Sequence, residues 1–246
     1  SWIDDDNDGK YGKNVTSSIY DAIGSGYSSA FFSSGRICQS SKIKVGSHYR
    51  LYAALCVNKK STFSNKSHTV VLYSDNFGES WSALGTIPSI DSGNEAKCEE
   101  LPNGNVLVSS RKSGGRYFRV FNYTNGVESI TLSNLTPGSW TSRSERLTGA
   151  DGGSTNGEIL IVPCKNSNTD ESCYILLHSI PMEDDRTKVG IYWTVLPSDD
   201  ITEGSVFPEK ATDWGNKNIS QLESAYSSMI IQGDGNIGFV YEDNYD

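Results

Sequence analysis

Apolar residues in this chain come in short runs bounded by polar, glycine-rich turns, and the runs recur along its whole length. The pattern predicts strands at Arg50–Cys56, Thr69–Ser74, Val106–Arg111, Tyr117–Tyr123, Glu158–Pro163, Cys173–His178, Val189–Leu196, Tyr226–Gln232 and Ile237–Glu242. Turn clusters separate them, among them Lys44-Val45-Gly46-Ser47, Pro102-Asn103-Gly104 and Gly233-Asp234-Gly235. No segment keeps an apolar period of 3.6 residues over three turns. Strands spaced this regularly in an all-β chain imply a sandwich, a barrel or a propeller.

Composition narrows this little but excludes some partners. The 246 residues are enough for one sizeable core or two small ones. No apolar run approaches the length of a membrane span. A net charge of −9 argues against a nucleic-acid backbone as partner. It leaves room for an acidic small molecule, provided arginines gather in one cleft. The five cysteines lack metal-binding spacing. Cys38 and Cys56 flank one predicted hairpin, and Cys164 and Cys173 flank another. Either pair is a candidate for a cross-strand bridge or for free thiols, with Cys98 left over. Asp4-Asp5-Asp6-Asn7-Asp8-Gly9 has the spacing that opens a calcium loop. Val15 stands where the closing glutamate belongs, so a solvated acidic loop is the simpler reading. Neither a cofactor nor a metal is expected.

One octapeptide separates the all-β architectures. Ser74-Asp75-Asn76-Phe77-Gly78-Glu79-Ser80-Trp81 reads as Ser-x-Asp-x-Gly-x-Ser/Thr-Trp, the Asp-box of certain propellers. An aspartate is expected to cap turn amides, Gly78 to take a conformation closed to other residues, and Trp81 to pack beneath the turn. The motif is structural and carries no catalysis.

The chemistry rests on four residues far apart in sequence: Glu95, Arg111, Arg186 and Tyr226. A carboxylate, two guanidinium forks and a phenol suit an anionic sugar. The forks grip a carboxylate, and a neutral phenol attacks beside it without charge repulsion. Taken singly, each has a bland reading as a solvated or paired strand residue. Their segments together resemble the exo-α-sialidases (neuraminidases), six-bladed β-propellers. The likeness runs through Asn94–Gly104 into Val108-Ser109-Ser110-Arg111, with sixteen residues from Glu95 to Arg111. It continues through Ser179-Ile180-Pro181 to Arg186 and Gly190-Ile191-Tyr192, then Ser224–Met229, and finally Gly235–Glu242. It covers about residues 30 to 246.

The resemblance implies a sialidase-type propeller with about four of six blades present, residues 1–246 being part of the catalytic propeller and 1–30 an uncertain lead-in. It implies Tyr226 as nucleophile and Glu95 as its base, in a retaining release of terminal sialic acid. Arg111 and Arg186 are two of the family's three carboxylate-binding arginines, and Glu242 pairs with the first of that cluster. Tyrosine nucleophiles are a known exception to two-carboxylate glycoside hydrolysis. Sialylated glycans are the implied partners, and secretion or surface display the implied location. Nothing before Phe31 resembles the family's opening blades, which hold the first arginine and a general-acid aspartate. The expectation is a fragment, inactive alone, whose partner is the missing N-terminal part of the propeller. Competing readings are a trans-sialidase, a sialic-acid-binding propeller without turnover, and a protein-binding Asp-box scaffold.

Overall fold

The computed structural model describes residues 13–243 apart from 34–35, 61–65, 114, 142–144, 148–155, 184–185, 197–206 and 209. Asp4, Asp6 and Asp8 lie outside the described residues. Four antiparallel sheets follow one another along the chain. The first joins β1 (Tyr27–Phe32), β2 (Cys38–Val45), β3 (His48–Lys59), β4 (Ser67–Ser74) and β5 (Ser82–Ala83). The second joins β6 (Asn94–Glu100), β7 (Val106–Lys112), β8 (Gly115–Tyr123), β9 (Gly138–Trp140) and β10 (Glu145–Leu147). The third joins β11 (Glu158–Lys165), β12 (Ser172–Pro181), β13 (Val189–Val195) and β14 (Gly215–Asn218), and the fourth pairs β15 (Ser227–Ile231) with β16 (Ile237–Tyr241). All nine sequence-predicted strands are strands.

Face-to-face packing explains why the central strands read as unbroken apolar runs. Tyr52 and Ala54 of β3 face one way, into a core shared with Val106, Val108 and Phe121 of the second sheet. Ala53, Leu55 and Val57 face the other way, under Ile19 and Ile23. Those isoleucines sit four residues apart on helix α1 (Thr16–Ile23), too short for the sequence pattern to reveal. Gly24, at φ 80°, ends the helix with its N–H on the Tyr20 carbonyl. Leu107, Phe118 and Val120 build the next core with Ile159, Leu176, Ile180 and Trp214 of the third sheet region. Sheets stacked this way arrange themselves as the blades of a propeller. One edge strand of each sheet then meets its counterparts, with β6 against β2 and β11, and β11 against β15.

The β4–β5 turn departs from its sequence pattern. The third position is Asn76, and its Oδ1 accepts the Ser80 N–H at 3.0 Å, while Ser74 Oγ accepts the Gly78 N–H at 2.9 Å. Asp75 caps no amide here. Its carboxylate takes both Nε and Nη2 of Arg50 at 2.8 and 2.9 Å. Arg50 is fully buried over the Tyr73 ring, 4.3 Å from its centroid, with Tyr123 Oη at 3.1 Å. Gly78 has φ 84° and Trp81 lies beneath it, as the pattern requires.

The cysteine pairs divide. Cys38 faces Tyr52 across the hairpin, and Cys56 faces Phe31 and Thr69, so a Cys38–Cys56 bridge does not fit this register. Cys164 and Cys173 are direct cross-strand partners with sulfurs 2.8 Å apart, both as free thiols.

Candidate functional site

Four of the five sequence-predicted residues, Glu95, Arg111, Tyr226 and Glu242, are linked by hydrogen bonds, and the fifth, Arg186, adjoins them through its backbone. Glu95 lies on β6 where the register to β7 slips between Asn94 and Lys97. Its φ of 36° is outside the ordinary strand range, a local strain characteristic of functional positions. At this bulge the carboxylate lies within reach of both Tyr226 and Arg111. Its Oε1 accepts the Tyr226 phenol at 2.9 Å, and its Oε2 accepts Arg111 Nη1 at 2.8 Å.

Tyr226 stands just before β15, with its ring 40% exposed at the mouth of the site. Its hydrogen bond to Glu95 pushes the phenol pKa up, helped by partial burial and the Glu95 charge; Arg111 and Arg186 pull it down but do not prevail. The resting phenol is therefore neutral, although arginines alone would favour phenolate.

Arg186 takes a left-handed φ of 62° in the connection between β12 and β13. Its carbonyl accepts the Ser224 N–H at 2.7 Å, and Lys188 N–H donates to the Leu222 carbonyl at 3.2 Å. Those two bonds bind the connection to the segment leading into Tyr226. Glu242, just past β16, accepts the N–H groups of Tyr226 and Ala225 on Oε2 at 3.1 and 3.3 Å. Here it holds the nucleophile candidate's backbone, an arrangement that the sequence did not suggest.

Arg116 on β8 escaped the sequence reading. It is fully buried beneath Glu95, donating to the Ser109 carbonyl at 3.2 Å and the Glu95 carbonyl at 3.5 Å. Burial pulls its pKa down to about 9. Its signal was a second arginine only five residues beyond Arg111, directly opposite it in register. His178 is also buried, between Ser109 Oγ and the Ser179 carbonyl, each at 3.1 Å. Burial holds it well below the usual imidazole range, so it is neutral.

A cavity of about 280 Å³ opens beside Tyr226, lined by Lys97, Asn156, Ser228, Tyr241 and Glu242. Among the described residues, no group of three His, Cys, Asp or Glu side chains is placed to hold a metal. No described helix is long and apolar enough to cross a membrane.

No model of a known family matches the sequence, and no curated protein matches it significantly. Solved structures do match the fold. The intramolecular trans-sialidase from Ruminococcus gnavus, in complex with oseltamivir carboxylate, aligns at a TM-score of 0.54 with 20% identity. The alignment covers 83% of this chain and 38% of that one. The leech intramolecular trans-sialidase, complexed with 2,7-anhydro-Neu5Ac, aligns at 0.54 with 17% identity, covering 83% of this chain and 28% of its own. The chain thus spans well under half the length of either neighbour. Four successive antiparallel sheets, packed face to face around an axis and superposing on both neighbours, give this chain the fold of the sialidase-type β-propellers.

Proposed function

We propose that this chain supplies the nucleophile side of a retaining sialidase-type glycosidase acting on terminal sialic acid. The observation that carries the reading is the contact of Tyr226 Oη with Glu95 at 2.9 Å, Arg111 holding the second carboxylate oxygen. A phenol with a base and a guanidinium on one carboxylate is a nucleophile–base–orienter arrangement. Arg186 and Arg111 offer planar forks to the substrate carboxylate, each charge-assisted bond contributing roughly 1.5–3 kcal/mol.

In this mechanism Tyr226 Oη attacks the anomeric carbon while the bond to the leaving oxygen breaks. The phenolic proton passes to Glu95 Oε1. The leaving oxygen takes its proton from an acid other than these five residues; the resemblance implies an aspartate of the opening blades. Water then attacks from the face that the leaving group vacated and gives a proton to the former external acid, now a base; the bond to Tyr226 breaks, the phenolate recovers its proton from Glu95, and the configuration is retained. Glu242 fixes the Tyr226 backbone during both displacements. A non-catalytic sugar-binding propeller needs the forks but has no use for a base on the phenol, so the contact favours turnover.

The test is Tyr226→Phe in the full-length protein with a fluorogenic sialoside. The expected outcome is loss of turnover by orders of magnitude with sialic acid affinity nearly unchanged. Parallel loss of both would refute the nucleophile role. Identifying the released sugar separates water from one of the sugar's own hydroxyls as acceptor.

A further inference from the structure

Lys97 and Arg36 take no part in the chemistry above, yet each keeps a buried N–H donor without an acceptor among the described residues. Lys97 is 3% exposed, and its Nζ has no hydrogen-bond partner among the described residues. Burial drives its pKa down to about 8, against the pull of Glu158. Arg36 donates through Nη2 to the buried Glu99, but its Nε likewise lacks an acceptor. A buried cationic donor without a partner costs several kcal/mol, about as much as a substantial share of a domain's stability.

Both side chains line one cavity of about 200 Å³ walled by residues of the first and second sheets, and Lys97 stands between it and the cavity beside Tyr226. The other walls are Phe32, Ile37, Ala53, Ala54 and Ala96, together with Ser33. Ser33 Oγ already accepts the Ala96 N–H at 3.1 Å, so its own hydrogen is a donor. Three donors and no carboxylate thus surround an apolar chamber. Phe32 and Ile37 are 43% and 49% exposed, which makes the entrance apolar too.

We propose that this cavity binds a small monocarboxylate with a short alkyl tail. The carboxylate accepts from Lys97 Nζ, Arg36 Nε and Ser33 Oγ, and the tail lies against Phe32, Ile37 and the alanines. A lone inorganic anion satisfies the donors but leaves the apolar walls wet. A neutral apolar ligand leaves Lys97 Nζ and Arg36 Nε without an acceptor. Only an amphipathic anion answers both. The proposal does not rest on the glycosidase reading, since Arg36 and Ser33 lie outside the Tyr226 constellation, although Lys97 borders both cavities.

The experiment is a thermal-shift and calorimetric titration of this chain with sodium butyrate, against acetate and chloride at constant ionic strength. The expected result is saturable butyrate binding in the millimolar range, at least about tenfold tighter than acetate or chloride. Lys97→Met removes the saturable response, Lys97→Arg keeps it, and Ala96→Leu, which fills the chamber, also removes it. Equal responses to all three salts would overturn the proposal. So would undiminished butyrate binding in Ala96→Leu or Lys97→Met. If Lys97→Met does not fold, the Ala96→Leu and Lys97→Arg pair decides the matter by itself.

Discussion

Replacing Lys97 by methionine should stabilise the protein at neutral pH and do so less as the pH rises. The lysine is buried on β6 among Glu158, Arg116, Glu95 and Cys98, and burial outweighs the attraction of the carboxylates. The fall of its pKa from an ordinary 10.5 to about 8 corresponds to about 3 kcal/mol, at roughly 1.4 kcal/mol per pH unit. The direction of the pH dependence follows from proton uptake. Below about pH 8 the lysine is charged in both folded and unfolded chains, and the full burial penalty is felt. Between about 8 and 10.5 the folded chain has shed the proton that the unfolded chain still holds, so wild-type stability rises with pH. Methionine fills a similar volume without charge. Urea unfolding in buffers free of organic acids should therefore show the variant about 3 kcal/mol more stable at pH 7, with the gap closing toward pH 10.5. At roughly 2–4 °C per kcal/mol the same gap is visible by melting. A variant less stable than wild type at pH 7, or a gap that ignores pH, would refute the reasoning that Lys97 is an uncompensated buried cation.

Other consequences can be checked on the same chain. Glu95→Gln removes the hydrogen bond that most raises the Tyr226 phenol pKa, leaving Arg111 and Arg186 to lower it. Tyrosinate absorbance, with Tyr226→Phe as the subtraction, should show this phenol ionising at lower pH; no change would mean Glu95 does not govern it. Asp75→Ala strands the fully buried Arg50 and should cost about 3–5 kcal/mol. Asn76→Ala forfeits only turn hydrogen bonds, about 1–2 kcal/mol; equal losses in denaturant would contradict the division of labour between these neighbours. Oxidised glutathione should link Cys164 to Cys173, their two thiols giving up two electrons and two protons as glutathione disulfide is reduced. Intact mass would then fall by about 2 Da, a loss that Cys164→Ser prevents.

Much of the fold was legible because the central strands of each sheet are buried on both faces. β4 has seven of eight residues buried and carries Val70-Val71-Leu72-Tyr73 at its centre, an apolar run that the sequence shows plainly. The inner strands were harder. Asn94-Glu95-Ala96-Lys97-Cys98-Glu99-Glu100 is polar at five of its seven positions, and only Ala96 and Cys98 are apolar, although Ala96, Lys97 and Cys98 are all buried. Helix α1, at two turns, is held by Ile19 and Ile23 on the first sheet, not by any propensity of its own.

Residue types and their order along the chain were enough to propose a phenol, a carboxylate and two arginine forks working together. Sequence could not place them within reach of one another. That depended on a bulge at Glu95, the left-handed backbone at Arg186 and the convergence of edge strands from separate sheets. Nor could it show that Asp75 serves Arg50 while Asn76 staples the turn, or that Glu242 grips the backbone of Tyr226. Arg36 and Lys97 drew no notice in the sequence because a lysine on a polar strand ordinarily reaches water. Burial between two sheets is a property of the folded stack, and it alone decides whether a charge is solvated or stranded.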